Sequence, residues 1–275
     1  MMDMYLERHP SRSRRRVAAP PVVLIHGLGG DRTTWKHVID GITEFYDVVV
    51  VEVPGFGRSR PLPSNVTPTP RALAETVHGH LRANGVKRFH LVGHGLGGWI
   101  ALEIGDIAPD GVVSVTGLCP AGFWPHPSGD RQRKAIRSAR RWSALAPIVF
   151  TLPFMRNGLL VGTLGGPGGL PYSDGLEIVR AYGAADDYVR VNEAMLAEVY
   201  NVTRRLTPLA KRVPVFLVWA GDDRMVTPPK INPPEGVYQH VIPYAGHMPT
   251  FDEPERCVEV LLAAVDKGMM LTEAV

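Results

Sequence analysis

The stretch His90-Leu91-Val92-Gly93-His94-Gly95-Leu96-Gly97-Gly98 decides how the rest of the chain is read. It completes a strand expected over 88–92 and opens a helical pattern that continues to about Asp106. A strand that turns sharply into a helix needs residues without side chains where the two backbones meet, and Gly93 and Gly97 stand there. Gly95 sits between them, at the tip of the turn.

Working outward, similar strand-turn-helix units recur. Residues 21–25 are an apolar run that reads as a strand buried on both faces, ending in His26-Gly27-Leu28-Gly29-Gly30. A helix is expected next, capped by Asp31 or Thr33, with Trp35, Val38, Ile39 and Ile42 on its apolar face. A Val-rich strand over 46–53 runs into Pro54-Gly55-Phe56-Gly57-Arg58-Ser59, with Glu52 at its end, read as a structural loop. An amphipathic helix over 71–84 carries Leu73, Val77 and Leu81 on one face. Further strands are expected at 112–118, 214–220 and 237–242, and a closing helix at 254–265. Alternating strand and helix patterns argue for parallel units in a doubly wound α/β sheet.

The pattern changes between 119 and 205, where strand-like runs are scarce. This span is Arg-rich at 131–141, Gly/Pro-rich at 162–171 and helical over about 175–205. It reads as an inserted helical lid, with Trp99, Phe123, Trp124, Trp142, Phe150, Phe154 and Tyr172 as either pocket lining or ordinary packing. The implied organisation is a basic N-terminal segment (1–16), a core (17–118 and 206–275) and the lid (119–205).

Composition sets outer bounds. At 45% hydrophobic and 21% charged, this is the balance of a soluble globular chain. No apolar run reaches the roughly 18–20 residues that span a bilayer, and no secretory leader is expected. The sequence pI of 8.9 comes from the N-terminus. Arg8, Arg12, Arg14, Arg15 and Arg16 stand there against Asp3 and Glu7, and the remaining chain balances 25 basic with 25 acidic side chains. Such a cluster reads either as a tether for acidic partners or as a solvated arm. The lack of interleaved aromatics favours the arm, so no nucleic-acid partner is expected. Cys119 and Cys257 offer neither a disulfide framework nor a metal-ligand spacing, so a cytoplasmic setting is expected.

Together, the turn at Gly95 and the loops after later strands resemble the α/β-hydrolase family, whose nucleophile elbow reads G-x-S-x-G. The family carries its serine where this chain has Gly95. The acid loop of the family resembles Ala220-Gly221-Asp222-Asp223-Arg224-Met225-Val226-Thr227-Pro228, which implies Asp223 as the acid, with Asp222 the alternative. The histidine loop resembles Pro243-Tyr244-Ala245-Gly246-His247-Met248-Pro249, which implies His247 as the base. The same resemblance implies an oxyanion hole from the Leu28 and Leu96 N–H groups, with Gly27 shaping the first loop. It implies a small carbonyl substrate, such as an ester, a lactone or a cleavable C–C bond. No metal, organic cofactor or membrane is implied, and a monomer or homodimer is expected. Glycine offers no hydroxyl, thiol or carboxylate. Three functions remain open: a hydrolase whose nucleophile has been replaced, a lyase, cyclase or isomerase with His247 as general base, and a non-enzymatic receptor.

Overall fold

In a computed structural model, residues 3–13, 19–124, 163–166, 170–200, 202–226, 228 and 232–273 are described. The calls on 131–141, Trp142, Phe150 and Phe154 lie outside the described residues.

Seven strands form one sheet: β1 (Leu6–His9), β2 (Val22–Ile25), β3 (Val48–Val51), β4 (Phe89–His94), β5 (Val112–Leu118), β6 (Val215–Ala220) and β7 (Val237–Ile242). Their spatial order is β1-β3-β2-β4-β5-β6-β7. Every pairing is parallel except β1 on β3, where Leu6 faces Val51. The apolar runs are buried on both faces because side chains alternate. Val23, Ile25, Val49, Val51 and Leu91 join one core, and Val22, Leu24, Val48, Val50 and Val92 join the other. Helices α2 (Pro70–Ala83) and α3 (Leu96–Ile107) cover the first face. The short α1 (Ile39–Thr43) and the long C-terminal helix cover the second. The doubly wound expectation therefore holds. Among the described residues, no helix is long and apolar enough to cross a membrane.

Local differences from the sequence reading have physical causes. The helix expected from Asp31 divides into a 3₁₀ turn, Arg32–Trp35, and α1. Asp31 is the cap, its Oδ1 accepting from Thr33 N at 2.8 Å, and β-branched Thr33 and Thr34 do not favour a longer α-helix. The helical span 175–205 also divides, into α4 (Tyr172–Gly183) and α5 (Tyr188–Leu196). At the break, Asp187 N donates to Gly55 O at 3.2 Å, anchoring the connection to the loop after β3. A π-helical turn, Val202–Leu206, then leads into α6 (Thr207–Ala210). After β7 come α7 (Pro249–Asp252) and α8 (Pro254–Glu273), the latter continuing well past residue 265. Gly268 does not stop α8, because the bare Cα lets the helix press onto β5, and a β-carbon there would sit 2.5 Å from Ser114 Cβ.

Helices α4 and α5 belong to the span between β5 and β6 and are tied to the sheet's helices and loops. Lys36 Nζ reaches Asp174 (2.7 Å) and Glu177 (2.6 Å), and His37 Nε2 reaches Asp174 (2.7 Å). Burial works to raise the Asp174 carboxyl, but hydrogen bonds from Lys36 and His37 outweigh it and hold the group below the usual carboxylate range.

Candidate active site

The turn between β4 and α3 is built by close backbone approach. A β-carbon on Gly93 would overlap the Gly97 carbonyl, and one on Gly97 would overlap the Ile25 carbonyl. Gly95 sits at φ +53° and ψ −116°, a region that glycine enters freely. Its N–H donates to Leu118 O (2.9 Å), and its carbonyl accepts from Gly98 N (3.0 Å) and Ala121 N (2.9 Å). The tip is thus pinned to both β5 and α3.

The two loops singled out in the sequence converge on this tip. His247, after β7, places Nδ1 2.8 Å from Asp223 Oδ2, after β6. Asp223 Oδ1 accepts from Met225 N (2.7 Å) and Val226 N (2.9 Å). Burial opposes the Asp223 charge, but the His247 hydrogen bond, the His247 charge and the two N–H groups hold its carboxyl low. An ionised acceptor on Nδ1 fixes the tautomer and leaves Nε2 free to accept a proton. Asp222 is exposed and does not pair with His247; its N–H donates to Ala245 O (2.9 Å). A β-carbon built on Gly95 lies 3.4 Å from His247 Nε2 and 3.7 Å from Gly27 Cα, ordinary contact distances.

The His26-Gly27-Leu28-Gly29 loop faces the same point. It closes through Gly30 N on Gly27 O (3.1 Å). Buried His26 donates Nδ1–H to Gly27 O (2.8 Å) and accepts from Val53 N on Nε2 (3.0 Å), so it is a neutral pin. Among the described residues, neither Leu28 N–H nor Leu96 N–H donates to a backbone or side-chain acceptor. Leu96 opens α3, where the helix dipole favours an anion. Tyr182 of α4 and Tyr188 of α5 pack edge to face, 4.7 Å apart, and both rings abut Gly29. Helices α4 and α5 therefore rest on this loop.

Three further residues lie against the site, of which His94 and Asp252 carry no role in the sequence reading. His94 Nε2 donates to the His247 carbonyl at 2.6 Å. Burial, reinforced by the neighbouring His247 charge, drives the His94 pKa down to about 3, so the ring is a neutral strut. Asp252 accepts from Gly246 N (2.8 Å) and Gly165 N (3.0 Å), joining the histidine loop to 163–166. The third is Cys119, whose buried thiol lies beside Asp223. Burial, then the Asp223 charge, raises its pKa well above the usual range. A protonated thiol is neither a nucleophile nor a ready metal ligand. Cys119, Asp223 and His247 are nonetheless the group among the described residues whose donor atoms lie close enough to share a cation, within 4.8 Å. The hydrogen bond among them is that of His247 Nδ1 with Asp223 Oδ2 at 2.8 Å.

Comparison with known proteins shows the family and the fold. The family model described as "Alpha/beta hydrolase family" matches residues 22–260. The acetyltransferase component of an acetoin cleaving system from Cupriavidus necator, a dihydrolipoyllysine-residue acetyltransferase, is 28% identical over 240 residues. That match covers 86% of this chain and 61% of the relative, so the chain spans less than two thirds of the relative's length. A pimeloyl-(acyl-carrier protein) methyl ester esterase from Methylococcus capsulatus is 35% identical over 100 residues, 36% of this chain and 37% of the relative. A thermophilic esterase from Thermogutta terrifontis shares the fold with a TM-score of 0.73 at 19% identity, covering 98% of this chain and 94% of that one. The parallel sheet, the glycine-built turn after its central strand and the family match over 22–260 identify the chain as a member of the α/β-hydrolase family.

Proposed function

We propose that this chain acts on a small organic carbonyl compound, an ester, lactone or cleavable C–C bond, without forming a covalent enzyme intermediate. Gly95 stands at the nucleophile position and supplies no attacking group. His247, oriented by Asp223, acts as general base on a water directed at the carbonyl. The Leu28 and Leu96 N–H groups receive the negative charge that develops on the carbonyl oxygen, and Gly27 shapes the first of those donors. The span 119–205 serves as the lid. No metal or organic cofactor enters this chemistry, and the chain works as a monomer or homodimer in the cytoplasm.

The observation that carries the reading is the aim of His247. Its Nδ1 is held by Asp223 at 2.8 Å while its Nε2 faces the Gly95 tip. A pure receptor has no need of an oriented acid–base pair. The same geometry supports a second non-covalent reading, in which His247 removes a proton from the substrate itself, as in a lyase, cyclase or isomerase. Losing the nucleophile costs about 10³–10⁶-fold in family terms, so slow turnover is expected.

The test compares this chain with His247→Ala on short aryl esters and on C–H-acidic ketones. Turnover that falls at least about 10²-fold in His247→Ala supports the proposal, and the substrate class that turns over separates its two forms. Ligand binding without turnover, unchanged in His247→Ala, contradicts both and leaves the receptor.

A further inference from the structure

Strand β7 is an edge of the sheet. It pairs with β6, and among the described residues no strand lies on its other side. The two edges of the sheet differ. At the β1 edge, Leu6–His9 includes Glu7, Arg8 and His9, charged or titratable side chains of the kind that guard an edge, and Arg8 is drawn to Asn84 O at 2.6 Å. β7 is six residues long, Val-Tyr-Gln-His-Val-Ile, with no acid, lysine, arginine or proline. Its register with β6 is unbroken from Val237 to Ile242. Gln239, His240 and Val241 are exposed, Val241 to 50%. An edge of this kind offers main-chain donors and acceptors to another strand. The apolar surface continues onto α8. A groove of about 350 Å³ runs between β7 and α8, floored by the stacked rings of Phe216 and Tyr238 (5.1 Å) and walled by Val260, Ala263 and Ala264. At its rim, Lys267 Nζ lies 3.6 Å from the centre of the Tyr238 ring and meets no carboxylate among the described residues. Glu259 pairs with Arg256 at 2.7 Å yet its side chain stays 64% exposed.

We propose that this edge and groove receive a second copy of the chain, the two β7 strands pairing antiparallel about a two-fold axis so that the sheets run into one another. A two-fold contact sets one surface against itself. β7 then meets an edge of equal length that carries no like charge against its own. The axis also sets α8 beside α8 in reversed direction. Ala263 lies midway between Glu259 and Lys267 in the sequence, and Gln239 and His240 are the middle of β7. An axis through these midpoints puts a small side chain where the helices cross. It sets Glu259 of each copy opposite Lys267 of the other, so the charges at the rim are complementary. That complementarity favours a second copy, because a strand from an unrelated protein has no reason to present this pattern in reverse. A specific interface buries about 1,600 Å² in total, more than one strand edge supplies, so the helix contact is part of the interface. The proposal is independent of the chemistry at Gly95.

The test is the mass of this chain by light scattering on size-exclusion chromatography across a dilution series, with amide exchange read over 237–242. The expected mass at high concentration is twice 30.1 kDa, falling on dilution, with the β7 amides exchanging more slowly in the dimer. Val241→Lys puts a charge on the edge, and Ala263→Arg puts bulk at the helix crossing. Each, checked for folding by circular dichroism, should be monomeric where the unmodified chain is a dimer. Lys267→Glu should weaken the dimer at least about tenfold, and adding Glu259→Lys to that variant should restore it. A chain that stays monomeric at every concentration overturns the proposal and leaves the edge to a strand from another protein. A dimer that persists in either Val241→Lys or Ala263→Arg overturns it as well, because the copies then meet elsewhere.

Discussion

A β-carbon on Gly95 would lie 3.4 Å from Nε2 of His247, although 152 residues separate the two in the chain. His247 Nε2 is therefore aimed at the bare tip of the turn. That position has room for a side chain but an unfavourable backbone for one, since φ is +53°. Gly95→Ser should fold and lose about 1–2 kcal/mol, the cost of a non-glycine residue in such a conformation. Thermal denaturation of the two chains checks this. An unfolded variant would mean that the turn is tighter than its contacts indicate.

In the proposed function Asp223 acts through His247. Asp223→Asn can keep the contact at Nδ1 but favours the tautomer with the proton on Nε2, which removes the base. In a Gly95→Ser background, ester hydrolysis should fall about 10³–10⁴-fold with little change in KM. The carboxyl is held low despite burial by its hydrogen bonds. Its stabilising contribution is therefore full above the ordinary carboxylate range and lost as pH falls through the lowered value. Comparing the two chains below pH 4 should show a shallower acid loss in Asp223→Asn.

Acid stability is governed over a higher window by buried histidines. Burial drives His94 down to about 3 and His90 down to about 4 from an ordinary 6.5. The unfolded chain binds these protons below about pH 6.5 while the folded chain refuses them. Stability should therefore fall as pH drops from 6.5 towards 4, with the full contribution present only above 6.5. The melting temperature of His94→Gln, which cannot titrate, should depend less steeply on pH across that window. An unchanged slope would show that the ring is not held neutral.

Much of this fold is legible in the sequence because it rests on local pattern. The runs VVLI, VVVV and VFLVWA, rich in β-branched residues and bounded by turn residues, read as strands buried on both faces, and the glycines around Gly95 mark a backbone crossing. Asp223 and His247 are found because their flanking loops are distinctive. What escapes notice depends on contacts distant in sequence. The His94–His247 bond joins residues 153 apart, and the fixed His94 ring looks like any residue between two glycines. Asp252 is one acid in an Asp-Glu-Pro-Glu run, and only the fold shows it bonded to Gly246 and Gly165. The break between α4 and α5 is set by the Asp187–Gly55 contact rather than by any helix-breaking proline.

Both thiols should be silent in the native protein. Cys119 and Cys257 are buried and unpaired, and burial pushes Cys257 up to about 12. Ellman's reagent at pH 8 should detect no thiol until denaturant is added, and then both. Rapid labelling of native Cys119 would contradict its placement behind Asp223.

The most direct measurement is fluorophosphonate labelling of Gly95→Ser beside Gly95→Ser/His247→Ala, with the unmodified chain as blank. A hydroxyl placed at the tip should be activated by His247, so the single variant should label covalently at position 95 and gain aryl-esterase activity. The double variant should lose about 10³-fold or more in labelling rate. Labelling in neither variant, or equal labelling in both, would contradict the claim that Asp223 and His247 are aimed at Gly95 as a working acid–base pair.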